Sequence, residues 1–421
     1  MSCCVCRLPF LPHHQRAPNA IPAHKPPPGV FNTGQLAYFE RAFCFGEWVY
    51  AFWMDLIWTS NNLFTVDKIN KAMPIVMSIA YEPPSSDETC IVMHHTCMNI
   101  FRHVFEVEEN TRENLWMLAA VEHAMGRPQG RANAGRWRDV DYESIGECVD
   151  TRALWTPGRS EGLNVFDWKG LEGRGYDWLV NRPDIFPRFY LEVSESRMRG
   201  LSDSACGTDI LTRQPTDVLR AIAVHLDARG LAQLSGTCRY LRFLALTDWQ
   251  PVARSAVRRL GWAIPTAGEL REAGPSASVL TQLVDAQQAG DWMLYLSHVN
   301  RTKSMRVRRW IWALCIEIRR IANTKITACG VLEAGSPAWT KVEAAFETKW
   351  ELAKIYHGFM DMPAPSSQEK TQEQLEEDLF ALHERLGVKI ETQYVRPPPI
   401  RISTVSEFRR DLAAISASDV V

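Results

Sequence analysis

The sequence predicts a mainly α chain with some β: an α+β amino-terminal domain, a central module of three short helices and a helical carboxy-terminal region. Three observations support this. Apolar residues in 214–244 recur at helical spacing. The same spacing returns in 269–361, as in Leu280, Leu283 and Val284 and then Trp292, Tyr295 and Leu296. Between residues 31 and 190, helical stretches at 87–105 and 110–125 mix with aromatic-rich stretches at Trp48–Trp58 and Phe186–Val193 that suit strands.

Composition sets the outer bounds. A chain of 421 residues with 46% hydrophobic content is long and apolar enough to bury two or three cores. Its net charge of −2 supplies no global field to gather nucleic acid or an acidic membrane. Eleven cysteines are an odd number and too sparse for a secreted disulfide scaffold, so reduced thiols and a soluble cytoplasmic or nuclear protein are expected. The strongest apolar run, Trp48–Trp58, contains Asp55 and is too short to span a membrane.

Punctuation divides the chain. Residues 1–29 read as a flexible Cys- and Pro-rich segment that includes Pro26, Pro27 and Pro28, with globular structure beginning near Phe31. An α+β domain follows over 30–193, in which 126–175 is rich in Gly and Arg and reads as irregular loops. A small, polar linker over 194–210 leads to the central module at 211–261, whose last part should add a helix with Trp249 and Leu260 packing back. A helical domain occupies 262–361. The remainder, 362–421, reads as a linker, an acidic amphipathic helix over 369–386 and a flexible tail.

Within the central module, Val218, Leu219, Ile222 and Leu226 line one face of a first helix, with Pro215 suited to its opening turn and Asp217 to its positive end. Asp227 can cap a second helix carrying Leu231 and Leu234, and Thr237 a third carrying Cys238, Leu241 and Leu244. Three helices this short leave apolar surface uncovered, which predicts a docking surface.

Pro215, Asp217, Val218, Leu219, Ile222, Leu226, Leu231, Leu234, Cys238, Arg239, Arg242 and Leu244 fall in register, without a gap, on the pattern of an F-box, which residues 214–244 resemble. Gln214, Gly230 and Leu241 depart from it, standing where a Leu, an Asp and an aromatic are usual. The resemblance implies a substrate receptor. Its module would bind a Skp-family adaptor and, indirectly, a cullin scaffold with its RING subunit and ubiquitin-charged E2, while flanking regions hold an unknown protein substrate. The implied adaptor-contact positions are Pro215, Val218, Leu219, Ile222, Leu226, Leu231, Leu234, Cys238 and Leu241. The alternative is a non-catalytic helical interaction protein acting outside a ubiquitin ligase. No leucine-rich, WD or kelch repeat indicates how a substrate is held.

Cys3-x-x-Cys6 and His94-x-x-Cys97 each bring two soft ligands within reach of one tetrahedral ion, and together they would complete a zinc site of three cysteines and one histidine. The competing reading is a terminal cluster of exposed thiols, with His94 and Cys97 packed on a helix and Cys4 and His95 as rival donors. Zinc is the one cofactor the residues would admit; the receptor reading requires none.

Two further patterns were weighed. Gly158-Arg159-Ser160-Glu161-Gly162 matches a hydrolase nucleophile elbow, but that chemistry needs a strand before the serine and a helix after it. Pro157 interrupts the approach, and Leu163–Trp168 reads as extended. Arg301, Lys303, Arg306, Arg308, Arg309, Arg319 and Arg320 face only Glu317 along 301–320, with Trp310 and Trp312 among them. This stretch could grip phosphate. Yet Val307, Ile311, Leu314 and Ile318 follow one helical face, so the charges are expected to be solvated or paired with the acidic helix near Glu373, Glu376, Glu377 and Asp378. Without a Walker loop, an H-E-x-x-H or RING-spaced cysteines, the chain reads as non-catalytic.

Overall fold

A computed structural model describes residues 2–9, isolated positions and strand backbones between 26 and 80, and residues 90–347 apart from 110, 127–135, 158–163, 202, 204–208, 273–279, 281, 285–289 and 345. The chain is mainly helical with a small sheet near its amino terminus. The acidic helix and tail expected beyond 361 lie outside the described residues.

The sheet comprises β1 (Arg41–Gly46), β2 (Asp55–Trp58), β3 (Leu63–Val66), β4 (Met77–Ala80) and β5 (Cys90–His94), in the order β4-β3-β2-β1-β5. All its pairings are antiparallel, and Ala42 lies opposite His94 where β5 joins β1. The expected helix over 87–105 is therefore shorter than predicted. Residues Cys90–His94 include β-branched Ile91 and Val92 and pair as a strand, and α1 (His95–Val104) begins only where β5 ends. A helix α2 (Arg112–Met125) follows, its Asn114 amide bound by the Thr111 side chain.

The stretch read as irregular, 126–175, holds a two-stranded ribbon, β6 (Trp155–Pro157) with β7 (Asn164–Phe166), and a short helix α3 (Trp168–Gly173). Phe186–Val193 forms no strand: Pro187 has no amide to pair, and Phe189 packs against Trp292 and Tyr295. Its ring lies so close to Gly290, at φ 128°, that a Cβ there would sit 2.2 Å away. In the expected linker, α4 (Glu195–Met198) is anchored by an ion pair from Arg197 to the buried Asp291.

The central module folds as its spacing predicts, into α5 (Thr216–Val224), α6 (Ala228–Gly236) and α7 (Arg239–Leu246). The Asp227 carboxylate accepts from the Gly230 amide at 2.7 Å, as expected for an N-cap. Thr237 does not cap α7. Its hydroxyl donates back to the Leu234 carbonyl, and the Cys238 sulfur accepts the Leu241 amide instead. The added helix α8 (Gln250–Leu260) follows, with Trp249 fully buried at its start.

Beyond it lie α9 (Ala267–Glu272), α10 (Trp292–Arg301) and α11 (Lys303–Cys329), the last closed by Gly330 in the left-handed region. Two cores result, and they cross the boundaries expected from the sequence. One gathers Phe189 to Met305 and includes α10 against α8. The other gathers residues 3–180 and takes α11 through Val307, Trp310, Ile311, Leu314 and Ile318 against α1 and α2. The helical region expected at 262–361 is thus divided between them, because α10 buries its apolar face in one core and α11, from Val307 onward, buries its apolar face in the other.

Arg308 joins the two. Its guanidinium is fully buried, binds both oxygens of Glu269 at 2.5 and 2.8 Å, and donates to the carbonyls of Trp262, Pro183 and Ile264. Glu269 also caps α9 reciprocally with Thr266.

Candidate metal centre and docking face

The amino-terminal segment is the largest departure from expectation. Ser2 to Leu8 are buried rather than flexible, and no disulfide joins the cysteines among the described residues. The chain turns back on itself through Arg7 at φ 64°, with the Cys3 amide donating to the Leu8 carbonyl and the Arg7 amide to the Cys3 carbonyl. The turn brings Cys3 and Cys6 together.

His94 ends β5 in extended conformation and precedes α1, whose first turn contains Cys97. His94 thus belongs to the strand end rather than to a helix as expected, and the strand-to-helix junction brings its ring to the same site as the Cys97 sulfur. The Sγ atoms of Cys3, Cys6 and Cys97 and a ring nitrogen of His94 all lie within 4.8 Å of one another, and all four residues are buried. Tetrahedral zinc, with bonds of about 2.0–2.3 Å, would hold such donors about 3.3–3.8 Å apart. The cluster could hold a metal ion.

Hydrogen bonds fix the donors. His94 Nδ1 lies 3.2 Å from Cys6 Sγ, its Nε2 lies 3.1 Å from the Pro9 carbonyl oxygen, and its backbone amide donates to Cys3 Sγ at 3.3 Å. The rivals fall outside the set. Cys4 instead offers its carbonyl to the Tyr142 hydroxyl at 2.7 Å, and His95 is half-buried on α1.

Burial alone would raise the Cys3 thiol, but hydrogen bonds from Cys6 and Cys97, with His94 nearby, outweigh it and hold Cys3 well below the ordinary thiol range. Burial pushes Cys6 and Cys97 well above that range, and hydrogen bonding to Cys3 adds to the rise. Three sulfurs and an imidazole nitrogen brought this close in a buried site are a donor set suited to a soft or borderline cation, whose binding displaces thiol protons.

The second site is the outer surface of the central module. Leu219, Leu231 and Leu241 point inward and are at most 1% exposed, while Leu226 and Leu234 are partly buried against the same core. Pro215, Val218, Ile222 and Cys238 face outward, with Val218 at 42% and Ile222 at 38% exposure. Val224, which sequence reasoning passed over, is 43% exposed on the opposite flank of α5, two residues past Ile222 and so on a different face, and Ile210 lies exposed ahead of the helix. The Arg259 guanidinium of α8 binds the carbonyls of Val224 and Leu226 and so secures the end of α5.

No family model, curated protein or solved structure matches this chain.

The basic helix finds its partners within the described residues. Arg306 and Arg309 bind Glu147, Lys303 binds Asp177, Arg319 binds Glu106, and Arg320 binds Glu317. Burial alone would raise the Glu147 carboxyl, but the hydrogen bonds from Arg309 and Arg306 hold it below its usual range. Trp310 is fully buried against Trp178, and Trp312 lies against His103, so Trp310 is out of reach of a nucleobase. The expected acidic partners at 373–378 lie outside the described residues.

The G-x-S-x-G residues also lie outside them, but their flanks are defined. Trp155–Pro157 is a strand, contrary to the expected interruption at Pro157, and it is followed by the antiparallel strand Asn164–Phe166 rather than by a helix. A nucleophile elbow needs the helix. Among the described residues, no helix is long and apolar enough to cross a membrane.

Proposed function

We propose that this chain is an F-box-type substrate receptor, whose module docks a Skp-family adaptor and so delivers a bound protein to a cullin–RING ubiquitin ligase. The observation that carries the reading is the division of α5: Leu219 and Ala223 are buried, whereas Val218 and Ile222, one turn apart on one face, leave an aliphatic strip in water. Covering what remains exposed of each would contribute about 1–2 kcal/mol. Pro215 at the start of α5 and Cys238 at the start of α7 are exposed as well.

In this reading the chain performs no chemistry. It raises the local concentration of a target lysine near the E2 thioester, and specificity resides outside the module. The cluster of Cys3, Cys6, His94 and Cys97 holds zinc in a structural role, since three sulfurs and one imidazole suit a borderline-soft ion. Such a protein acts in the cytoplasm or nucleus.

Co-purification tests the reading. The wild-type chain is expected to recover a Skp-family adaptor together with a cullin, and Val218→Asp with Ile222→Asp is expected to lose both. Leu219, although in register with the motif, is a poor choice for this test because it is fully buried and a charge there would unfold the module. Recovery of the adaptor without a cullin would favour an interaction protein working outside a ligase. Undiminished recovery by the double variant would refute the docking face.

A further inference from the structure

The zinc reading extends to how the ion is held and what it holds together. We infer that the ion forms a closed staple, ligated by the thiolates of Cys3, Cys6 and Cys97 and by Nδ1 of His94, and that it clamps residues 2–9 as a strap across the first core. This inference rests on the zinc assignment and adds to it a ligating atom, a closed coordination shell and a mechanical role.

The ligating atom follows from the imidazole's two neighbours. The Pro9 carbonyl, 3.1 Å from Nε2, can only accept, so Nε2 carries the proton. Nδ1 is left with its lone pair directed into the sulfur cluster, 3.2 Å from Cys6 Sγ. A metal-binding histidine is usually oriented in this way, by a backbone carbonyl on its far nitrogen. The carbonyl here belongs to the strap itself, so the strap supplies two thiolates and also sets the tautomer of the third element's ligand. The His94 amide directed at Cys3 Sγ stabilises negative charge on that sulfur.

Closure follows from the donor count and the burial. Four protein donors satisfy tetrahedral zinc, and Cys3, Cys6, His94 and Cys97 are each 0% exposed, which leaves no path for a water or substrate to a fifth position. The ion is therefore structural. Sulfur-rich donors also select against magnesium, calcium and manganese.

The mechanical role follows from what else holds the strap. Val5, Leu8 and Pro9 are its aliphatic side chains, and its cross-links to the rest of the core include the Tyr142 hydroxyl on the Cys4 carbonyl, the Trp155 indole on the Arg7 carbonyl and the Arg7 guanidinium over the Tyr142 ring. The strap's ligands and their partners are distant in sequence, one pair in the turn at 3–6 and the other where β5 meets α1. A single ion closes that long loop, and its removal leaves three sulfurs and an imidazole crowded in the interior.

Three measurements on the full-length purified protein test the inference and separate it from the zinc reading. Metal analysis is expected to give one zinc per chain, retained by Cys4→Ser, whose side chain is not a ligand. A protein that holds no zinc and takes none up would overturn both readings. X-ray absorption at the zinc edge is expected to show three sulfurs and one nitrogen. An added oxygen, or fewer sulfurs, would overturn the closed shell while leaving zinc in place. Hydrogen exchange is expected to show residues 2–9 protected in the zinc form and fully labile after chelation, while α6 and α8 keep their protection. Zinc bound but a strap equally protected after its removal would overturn the staple alone.

Discussion

Removal of the metal from the first core gives the most quantitative consequence of the structure. Ordering residues 2–9 costs about 1–2 kcal/mol per residue in backbone freedom. Against this, burial of Val5 and Leu8 returns about 1.5–3 kcal/mol each, and each hydrogen bond from Tyr142 or Trp155 about 1 kcal/mol. The two sides are of similar size, so an apparent zinc contribution of about 10–16 kcal/mol, as in small zinc-dependent domains, would decide whether the strap stays in place. Chelation should therefore destabilise the first core by at least about 3 kcal/mol, equivalent to a fall in melting temperature of about 6–12 °C. The assay is thermal unfolding followed by tryptophan fluorescence, with Trp137, Trp178 and Trp310 all buried in that core. Zinc restored after chelation should recover the original transition. An unchanged transition in protein shown to be metal-free would refute the reasoning. Acid should mimic the chelator, because protons compete for the Cys6 and Cys97 sulfurs, and a metal-competition titration should show affinity falling as pH is lowered.

Three other outcomes are expected. Arg308→Met would strand Glu269 as an uncompensated buried carboxylate and cost about 3–5 kcal/mol by denaturant unfolding; Arg308→Met with Glu269→Leu should recover much of that loss. Glu147→Gln removes the partner of Arg306 and Arg309, which are themselves partly solvated, so a loss of about 1 kcal/mol at neutral pH is expected. Because the folded Glu147 carboxyl is held low, its contribution is complete above the unfolded carboxyl value of about 4.3 and fades as pH falls through the folded one. The gap between wild type and variant should therefore narrow as pH falls below the unfolded carboxyl value of about 4.3. Gly290→Ala would drive a Cβ into the Phe189 ring at a backbone angle that alanine resists, and should lower the melting temperature of the second core.

What was legible in the sequence was local. The three module helices follow from the spacing of Val218, Leu219, Ile222 and Leu226, of Leu231 and Leu234, and of Leu241 and Leu244, and a cap such as Asp227 acts within its own turn. The metal ligands were legible as two short spacings, Cys3-x-x-Cys6 and His94-x-x-Cys97, each set by one turn of backbone. Their union was not, because it depends on the first residues folding back across β5. The exit of α11 into the first core was hidden for a similar reason: Val307, Ile311 and Leu314 announce a buried face but not the neighbour that buries it. Arg308 read as one of a run of surface cations, and only its contact with Glu269 shows it to be interior. The strands β2, β3 and β4 have four residues each, too few for alternation to stand out. Ile222 and Leu219 look alike in sequence, and only packing separates the outward residue from the inward one.

The adaptor reading is tested most directly by titrating a purified Skp-family adaptor into the full-length chain and into the Val218→Asp, Ile222→Asp variant by calorimetry. Wild type should bind, and the variant should melt at the same temperature yet bind at least about 100-fold more weakly, a loss of about 2.7 kcal/mol. Equal affinity for the two, or no binding by the folded wild type, would contradict the proposal that the strip on α5 is a docking face.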